Sequence, residues 1–123
     1  MKILLDTNFL VYCAKQKIDY VEEIINLTKG EIVVLSSVVE ELEKLREKAR
    51  KARDKEAAKF ALELLNHNKI KIIKTEEKSA DKAITETANR GDVVATLDRG
   101  LKSRLKGKAR ILSIRKGKKL EVL

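Results

Sequence analysis

A short apolar run gives way to a carboxylate in Ile3-Leu4-Leu5-Asp6-Thr7-Asn8-Phe9-Leu10, close to the start of the 123-residue chain. The run predicts a buried parallel strand that ends at Asp6, and the residues after it have the spacing of a helix. In open α/β folds, ligands bind at the carboxyl ends of the strands. We therefore expect Asp6 to lie at the ligand-binding edge of a sheet.

Strand and helix patterns alternate along the rest of the chain. The predicted strands are Lys2 to Leu5, Glu31 to Leu35, Ile70 to Ile73, Val93 to Leu97 and Arg110 to Ile114. The predicted helices are Phe9 to Ala14, Tyr20 to Thr28, Val38 to Ala52, Lys55 to Asn66, Ala80 to Asn89 and Arg99 to Lys106. Continuous β-branched runs are typical of strands buried on both faces. We predict one α/β domain over residues 1–123, a three-layer α/β/α sandwich around a central, mainly parallel sheet of about five strands.

Glycines mark several of the predicted boundaries. Gly30, Gly91 and Gly107 each lie between a helix and a strand, where a left-handed residue is favoured after the helix end. Gly117 is expected to turn the chain into a last extended piece, Leu120 to Leu123.

Basic charge is concentrated in two segments of a chain whose net charge is +9 and whose pI is about 9.7. Residues 99–119 contain ten Lys or Arg and no Asp or Glu, and residues 44–59 contain eight basic and three acidic residues. The pattern predicts contacts with a phosphate backbone, although a solvated Lys-rich surface, favoured in proteins from hot environments, is the alternative. Only two Phe and two Tyr are present, which disfavours domains that stack bases on aromatic side chains.

Residue usage also limits the compartment and the type of metal site. Cys13 is the only cysteine, so an internal disulfide is excluded and a reducing compartment is favoured. No apolar run approaches the roughly 20 residues of a membrane span, and no charged leader precedes an apolar segment. We predict a cytoplasmic protein with no membrane segment. His67 is expected to be a capping or surface residue.

Glu41 is the second candidate acid. Ser36 and Ser37 are expected to cap the helix after the second strand. The apolar stripe of that helix consists of Val38, Leu42, Leu45 and Ala49. Glu41 lies roughly 70° from the centre of the stripe and can point along the sheet edge, whereas Glu40 lies roughly 170° away, on the solvent side. The alternative for Glu41 is a carboxylate at the boundary of the core.

Asp81 and Asp98 complete the set. Asp81 lies near the start of the helix that begins near Ser79, roughly 85° from its apolar stripe, while Glu86 lies on the far side. Asp98 follows the fourth strand. Asp81 could instead stabilise the helix dipole, and Asp98 could be an N-cap. Asp92, at the start of the same strand, is expected about 20 Å away at the opposite edge of the sheet, as a turn residue.

Four acids at one edge of the sheet favour a divalent cation. Carboxylates at close range raise one another's pKa unless a cation is present. Hard oxygen ligands suit Mg²⁺ or Mn²⁺, whereas a chain with one His and one Cys is a poor candidate for zinc.

The same residues, in this order, resemble the PIN domain family of metal-dependent nucleases, which includes VapC-type toxins and rRNA-processing endonucleases. The resemblance rests on Leu5-Asp6-Thr7-Asn8, Val39-Glu40-Glu41-Leu42-Glu43-Lys44-Leu45, Ala80-Asp81-Lys82-Ala83-Ile84 and Val94-Ala95-Thr96-Leu97-Asp98-Arg99. It implies that the catalytic and metal-binding acids are Asp6, Glu41, Asp81 and Asp98. It also implies that Asn8 and Thr96 orient the first and last of them.

The resemblance further implies an endoribonuclease that hydrolyses phosphodiester bonds and leaves a 5′-phosphate. One or two Mg²⁺ or Mn²⁺ ions would activate a water and neutralise charge on the scissile phosphate. Basic residues outside the acidic pocket would hold the RNA backbone. The candidates are Lys44, Arg46, Arg50, Arg53, Arg99, Lys102 and Arg104. A toxin with a small antitoxin partner and an RNA-processing enzyme are both open, and a homodimer is implied.

Two other classes of protein compete with the nuclease interpretation. A non-catalytic module that binds RNA or a protein partner would explain the basic segments equally well. Phosphotransfer domains also carry an Asp after the first strand, but a dehalogenase-type domain needs a second Asp where Asn8 stands. A receiver domain needs its acceptor Asp after a central strand and a Lys near the last one, and both requirements fit this chain poorly.

Overall fold

The structure is a computed structural model that describes residues 1–116 and 118–123. Its strands are β1 (Lys2–Leu5), β2 (Glu31–Leu35), β3 (Lys71–Ile73), β4 (Val93–Ala95), β5 (Arg110–Arg115) and β6 (Lys119–Val122). Its helices are α1 (Thr7–Gln16), α2 (Tyr20–Leu27), α3 (Ser36–Lys48), α4 (Ala52–His67), α5 (Ala80–Thr87) and α6 (Arg99–Leu105). None of the helices in these residues is long and apolar enough to span a membrane.

The strands form one sheet in the order β3-β2-β1-β4-β5-β6. All neighbours from β3 to β5 are parallel, and β6 pairs antiparallel with β5. The α/β class and the mainly parallel sheet are confirmed, with six strands rather than about five because the last extended piece joins the sheet. The strand order reverses between β1 and β4, so their carboxyl ends border the crevice where ligands bind in such sheets.

The centre of the sheet is fully buried, as its apolar runs predict. Leu5 and Ala95 are paired neighbours in β1 and β4, and both are completely shielded from solvent. Phe9 of α1 packs edge to face on Tyr20 of α2, with ring centroids 5.9 Å apart. Buried apolar side chains therefore surround the carboxyl ends of β1 and β4.

The prediction of one helix from Val38 to Ala52 is wrong, because α3 ends at Lys48 and α4 begins at Ala52. Ala49 has extended backbone angles, φ −62° and ψ 143°, and the chain turns there so that α4 packs against α3. The buried face of α4 is formed by Ala57, Ala58, Ala61 and Leu65. The packing of α4 against α3 stabilises the turn at residues 49–51. The sequence of this basic segment contains no Gly or Pro that would predict a turn there.

The two serines also differ from the prediction, because both lie inside α3. The N-cap is Leu35, which makes no side-chain capping bond. Ser36 Oγ instead accepts a hydrogen bond from the Thr75 amide at 2.9 Å, and Ser37 is buried. Ser36 therefore ties the start of α3 to the segment after β3.

Two of the three glycines adopt the expected left-handed backbone. Gly91 has φ 94° and Gly107 has φ 80°, but Gly30 does not have a positive φ. At Gly30 an added Cβ would lie 2.6 Å from Ile3 Cδ1 and 2.7 Å from the Met1 carbonyl oxygen, so close packing requires the glycine. The turn predicted at Gly117 lies outside the described residues.

Asp92 lies at the opposite edge of the sheet, as predicted. Its carboxylate accepts hydrogen bonds from the Lys2 and Asn89 amides, each at 2.9 Å, and pairs with Lys2 Nζ at 3.2 Å. Burial alone would raise the pKa of this carboxyl, but the two amides and the Lys2 charge outweigh it and lower the pKa. Asp92 therefore fastens the amino end of β4 to that of β1.

Candidate active site

The four predicted acids come together at the carboxyl edge of the sheet. Asp6 and Asp98 follow the ends of β1 and β4, and Glu41 and Asp81 lie near the starts of α3 and α5. They line one cavity of about 250 Å³. The other lining residues are Thr7, Asn8, Ser79 and Ala80. A small, strongly acidic cavity thus opens at the place where the strand order reverses.

Asp6 is the most constrained of the four acids and is only 3% exposed. Its Oδ1 accepts from the Thr7 amide at 2.9 Å, and its Oδ2 accepts from Thr96 Oγ1 at 2.7 Å. Burial raises the pKa of the Asp6 carboxyl from 3.8 to about 6, the two hydrogen bonds oppose the rise, and the nearby charges of Asp81 and Glu41 add to it. The surroundings of Asp6 therefore disfavour the charged form of its carboxyl group.

Thr96 connects the first and last acids. Its completely buried hydroxyl donates to Asp6 Oδ2 and accepts from the Asp98 amide at 3.1 Å. Asn8 Oδ1 accepts from the Leu97 amide at 3.2 Å, which holds the same loop. These contacts join the Asp6 carboxylate to the loop that carries Asp98.

Replacing Thr96 with valine should weaken both the fold and the site. The change leaves the Asp98 amide and Asp6 Oδ2 without their partner, and we expect a loss of about 1–3 kcal/mol in the free energy of unfolding. Groups that orient site carboxylates typically contribute about 10- to 100-fold to activity. Urea unfolding, and assays of the RNA cleavage that the resemblance implies, would measure both effects in Thr96→Val and Thr96→Ser. Equal loss in the serine variant, which keeps the hydroxyl, would contradict this role.

Asp98 and Asp81 are each already engaged through one oxygen. Asp98 Oδ1 accepts from the Leu101 amide at 3.1 Å and so caps α6, as its simpler interpretation predicted. Asp81 Oδ2 accepts from Arg104 Nη2 at 3.2 Å. Since a carboxylate has two oxygens, capping does not exclude a second ligand on Asp98.

The chemistry of the cavity fits a hard divalent cation. Its donors are carboxylates and the Asn8 amide oxygen, the ligand types that Mg²⁺ and Mn²⁺ prefer. Thr7 Oγ1 is buried at the cavity wall and makes no hydrogen bond within the described residues. Across residues 1–116 and 118–123, however, no three His, Cys, Asp or Glu side chains stand close enough together to hold an ion as they are placed. Glu41 is exposed and Asp81 is partly exposed, and both would turn toward Asp6 to do so.

The predicted RNA-binding residues occupy four different environments. Lys44, Arg46 and Arg50 are exposed on or just after α3, and Arg99 is exposed at the start of α6. Lys102 Nζ is directed to Ser113 Oγ of β5, at 3.1 Å. Arg53 borders a separate groove of about 710 Å³ between α1, α2 and α4. Arg104 alone among these seven residues pairs with one of the four acids.

The residues excluded by the sequence stay outside the acidic cavity. Glu40 is exposed, Glu86 borders another depression, and His67 is exposed at the end of α4. Burial raises the pKa of the Cys13 thiol to about 12, so this thiol stays protonated. The sequence did not predict Thr7 and Ser79 as lining residues, although Thr7 lies between Asp6 and Asn8 and Ser79 lies two residues before Asp81.

Comparisons with known proteins agree with this architecture. A family model described as a PIN-like domain matches residues 3–117. Ribonuclease VapC4 of Methanocaldococcus jannaschii is 41% identical over 109 residues, which cover 85% of this chain and 82% of that protein. Ribonuclease VapC9 of Archaeoglobus fulgidus is 33% identical over 103 residues, which cover 84% of this chain and 74% of that protein.

Two solved structures share the fold. The structure of the PIN domain endonuclease Utp24 has a TM-score of 0.79 and 28% identity, and covers 98% of this chain and 90% of its own. The crystal structure of VapBC2 from Rickettsia felis, bound to a DNA fragment from its promoter, has a TM-score of 0.60 and 19% identity. That match covers 94% of this chain and 100% of the other, and it supports the fold alone.

Proposed function

The chain belongs to the PIN-like domain family, and we propose that it is an endoribonuclease that hydrolyses RNA phosphodiester bonds with Mg²⁺ or Mn²⁺ as cofactor. The observation that carries this proposal is the convergence of four carboxylates on one cavity at the reversal of strand order. RNA as the substrate is supported by the two relatives named as ribonucleases.

The four acids would serve as the catalytic and metal-binding residues. Asp6 is held by two hydrogen bonds, so it offers the most preorganised position, while Asn8 and Thr96 orient the loop that carries Asp98. Glu41 and Asp81 would complete the site from the helices. A divalent ion bound there would supply positive charge at the scissile phosphate and activate a water.

RNA would be held by basic residues outside the acidic cavity, since the cavity itself repels phosphates. Lys44 lies one helical turn beyond Glu41, and Arg99 directly follows Asp98, so both are close in sequence to the acids they would assist. Contacts with the phosphate backbone provide affinity without base preference.

The direct test is cleavage of single-stranded RNA by the purified protein. We expect 5′-phosphorylated products when Mn²⁺ or Mg²⁺ is added and none in excess EDTA. Cleavage that persists in EDTA would contradict the metal dependence. RNA binding without cleavage under any metal condition would instead indicate a non-catalytic binding module.

Adjacent glutamates in α3 provide a matched comparison. Glu41→Gln should lower the cleavage rate about 10- to 100-fold, because it removes a charge that lines the cavity. Glu40→Gln makes the same chemical change one residue away on the solvent side, and we expect wild-type rates. Initial rates at saturating Mn²⁺ measure the difference. Equal cleavage rates of the two variants would show that Glu41 has no special role in the active site.

A small antitoxin is the proposed protein partner, supported by the VapC names of two relatives. Co-purification of this chain with the product of an adjacent small gene would test the pairing. We also propose a cytoplasmic homodimer. Light scattering at micromolar concentration would test the dimer, and a monomer mass would contradict it.

A further inference from the structure

Arg104 pairs with Asp81, one of the four acids that line the cavity, although the two residues are 23 positions apart in the chain. Its Nη2 contacts Asp81 Oδ2 at 3.2 Å, which joins α6 to α5. The Arg104 side chain is 51% exposed and that of Asp81 is 41% exposed. An ion pair this exposed contributes little to stability and exchanges readily.

Gly100 neighbours both Arg104 and Asp98, a second acid of the cavity. A Cβ added at Gly100 would lie 3.2 Å from Asp98 Oδ1 and 3.6 Å from Arg104 Nη1. Among the four acids, Arg104 forms an ion pair with Asp81 within the described residues, and Gly100 lies beside both Arg104 and Asp98. The positive charge of Arg104 therefore lies next to one of the acids that line the cavity.

We propose that Arg104 is an exchangeable counterion that couples metal binding to phosphate binding. In the metal-free protein it holds Asp81 away from the other acids. When a divalent cation binds, Asp81 turns to the cation, and the freed guanidinium binds a phosphate oxygen of the RNA at the cavity mouth. This inference rests on the proposed nuclease function.

Three points support the exchange. Arg104 engages an oxygen of Asp81, one of the four acids that line the cavity. The planar guanidinium donates in a fork that matches phosphate as well as carboxylate, so one side chain can serve both partners in turn. The exposed side chain is free to move between them.

The test combines calorimetric titration with Mn²⁺ and cleavage kinetics at saturating Mn²⁺. Arg104→Met should bind Mn²⁺ about two- to fivefold more tightly than wild type, because the competitor for Asp81 is gone. Its kcat/KM for RNA should fall about tenfold or more, because a charged contact to phosphate is lost. Arg104→Lys keeps the positive charge but loses the forked N–H donors of the guanidinium. Its Mn²⁺ affinity and its kcat/KM should lie between those of wild type and Arg104→Met.

Arg99→Met is the control for metal affinity, since it removes the same charge from the same helix next to Asp98 without touching Asp81. Equal Mn²⁺ affinities of the Arg104→Met and Arg99→Met variants would overturn the exchange while the nuclease function stands. Weaker Mn²⁺ binding by Arg104→Met would show that the Arg104–Asp81 pair stabilises the site and does not compete with the cation. This result would also overturn the exchange. A wild-type protein that neither binds Mn²⁺ nor cleaves RNA would overturn the proposed function and the exchange together.

Discussion

Asp6→Asn should lower RNA cleavage at least about a hundredfold while the protein stays folded. The substitution keeps the size of a side chain that is 3% exposed, and the amide oxygen can still accept one hydrogen bond. It removes the negative charge at the most preorganised position of the cavity, and losses of this kind in electrostatic catalysis are typically 10²- to 10³-fold. Single-turnover cleavage with Mn²⁺ would measure the loss, and calorimetry should show weakened Mn²⁺ binding.

Asp92→Asn provides the matched control for that experiment. It makes the same change at a second buried aspartate, which lies at the opposite edge of the sheet and binds Lys2 and Asn89. We expect reduced stability but retained cleavage per folded molecule. Full activity in Asp6→Asn, or equal loss in both variants, would reject the catalytic role of Asp6.

Because the pKa of Asp6 is raised, the free energy of unfolding measured without added metal should depend on pH. The pKa of Asp6 is about 6 in the folded protein and 3.8 as the ordinary value, so between these values the folded state binds more protons than the unfolded state. Stability falls with rising pH wherever the folded state binds more protons. The contribution of Asp6 is therefore favourable near pH 4 and is lost by about pH 7, a change of up to about 3 kcal/mol.

The difference between wild type and Asp6→Asn isolates this contribution from all other groups. Urea unfolding in EDTA at pH 4 to 8 should show that Asp6→Asn gains stability relative to wild type as the pH rises. Saturating Mn²⁺ should reduce that difference at pH 7, because a bound cation favours the charged carboxylate. A constant difference across the pH range would mean that Asp6 does not titrate in this window.

Much of the site was predictable because its signals are local. Asp6 and Asp98 each follow an apolar strand, and parallel strands of one sheet end at the same edge. Helical periodicity separated Glu41 from Glu40, since each helix shows only part of its surface to the sheet edge. The structure places all four selected acids around one cavity, and their role as metal ligands is a prediction for the experiments above.

The features that were missed depend on contacts between distant parts of the chain. Ser36 has the sequence of a capping residue but binds Thr75, 39 positions away. Residues 49–51 continue a helical composition, and only the packing of α4 against α3 favours a turn there. Gly30 looks like a helix terminator, yet it is required by the closeness of Ile3 and Met1.

The positions of the strands along the chain, their burial and the choice of acids follow from hydrophobic periodicity, which depends on neighbouring residues. The order of the strands in the sheet is decided by the tertiary structure. The pKa of Asp6 and the pairing of Asp81 with Arg104 do not follow from periodicity either, because desolvation and ion pairing arise only when separate elements meet. The run from Ile3 to Leu10 therefore determined where a carboxylate would stand. Packing around Asp6 decided how far the pKa of its carboxyl group is raised. Packing also decided that the Arg104 guanidinium pairs with Asp81, another acid of the cavity.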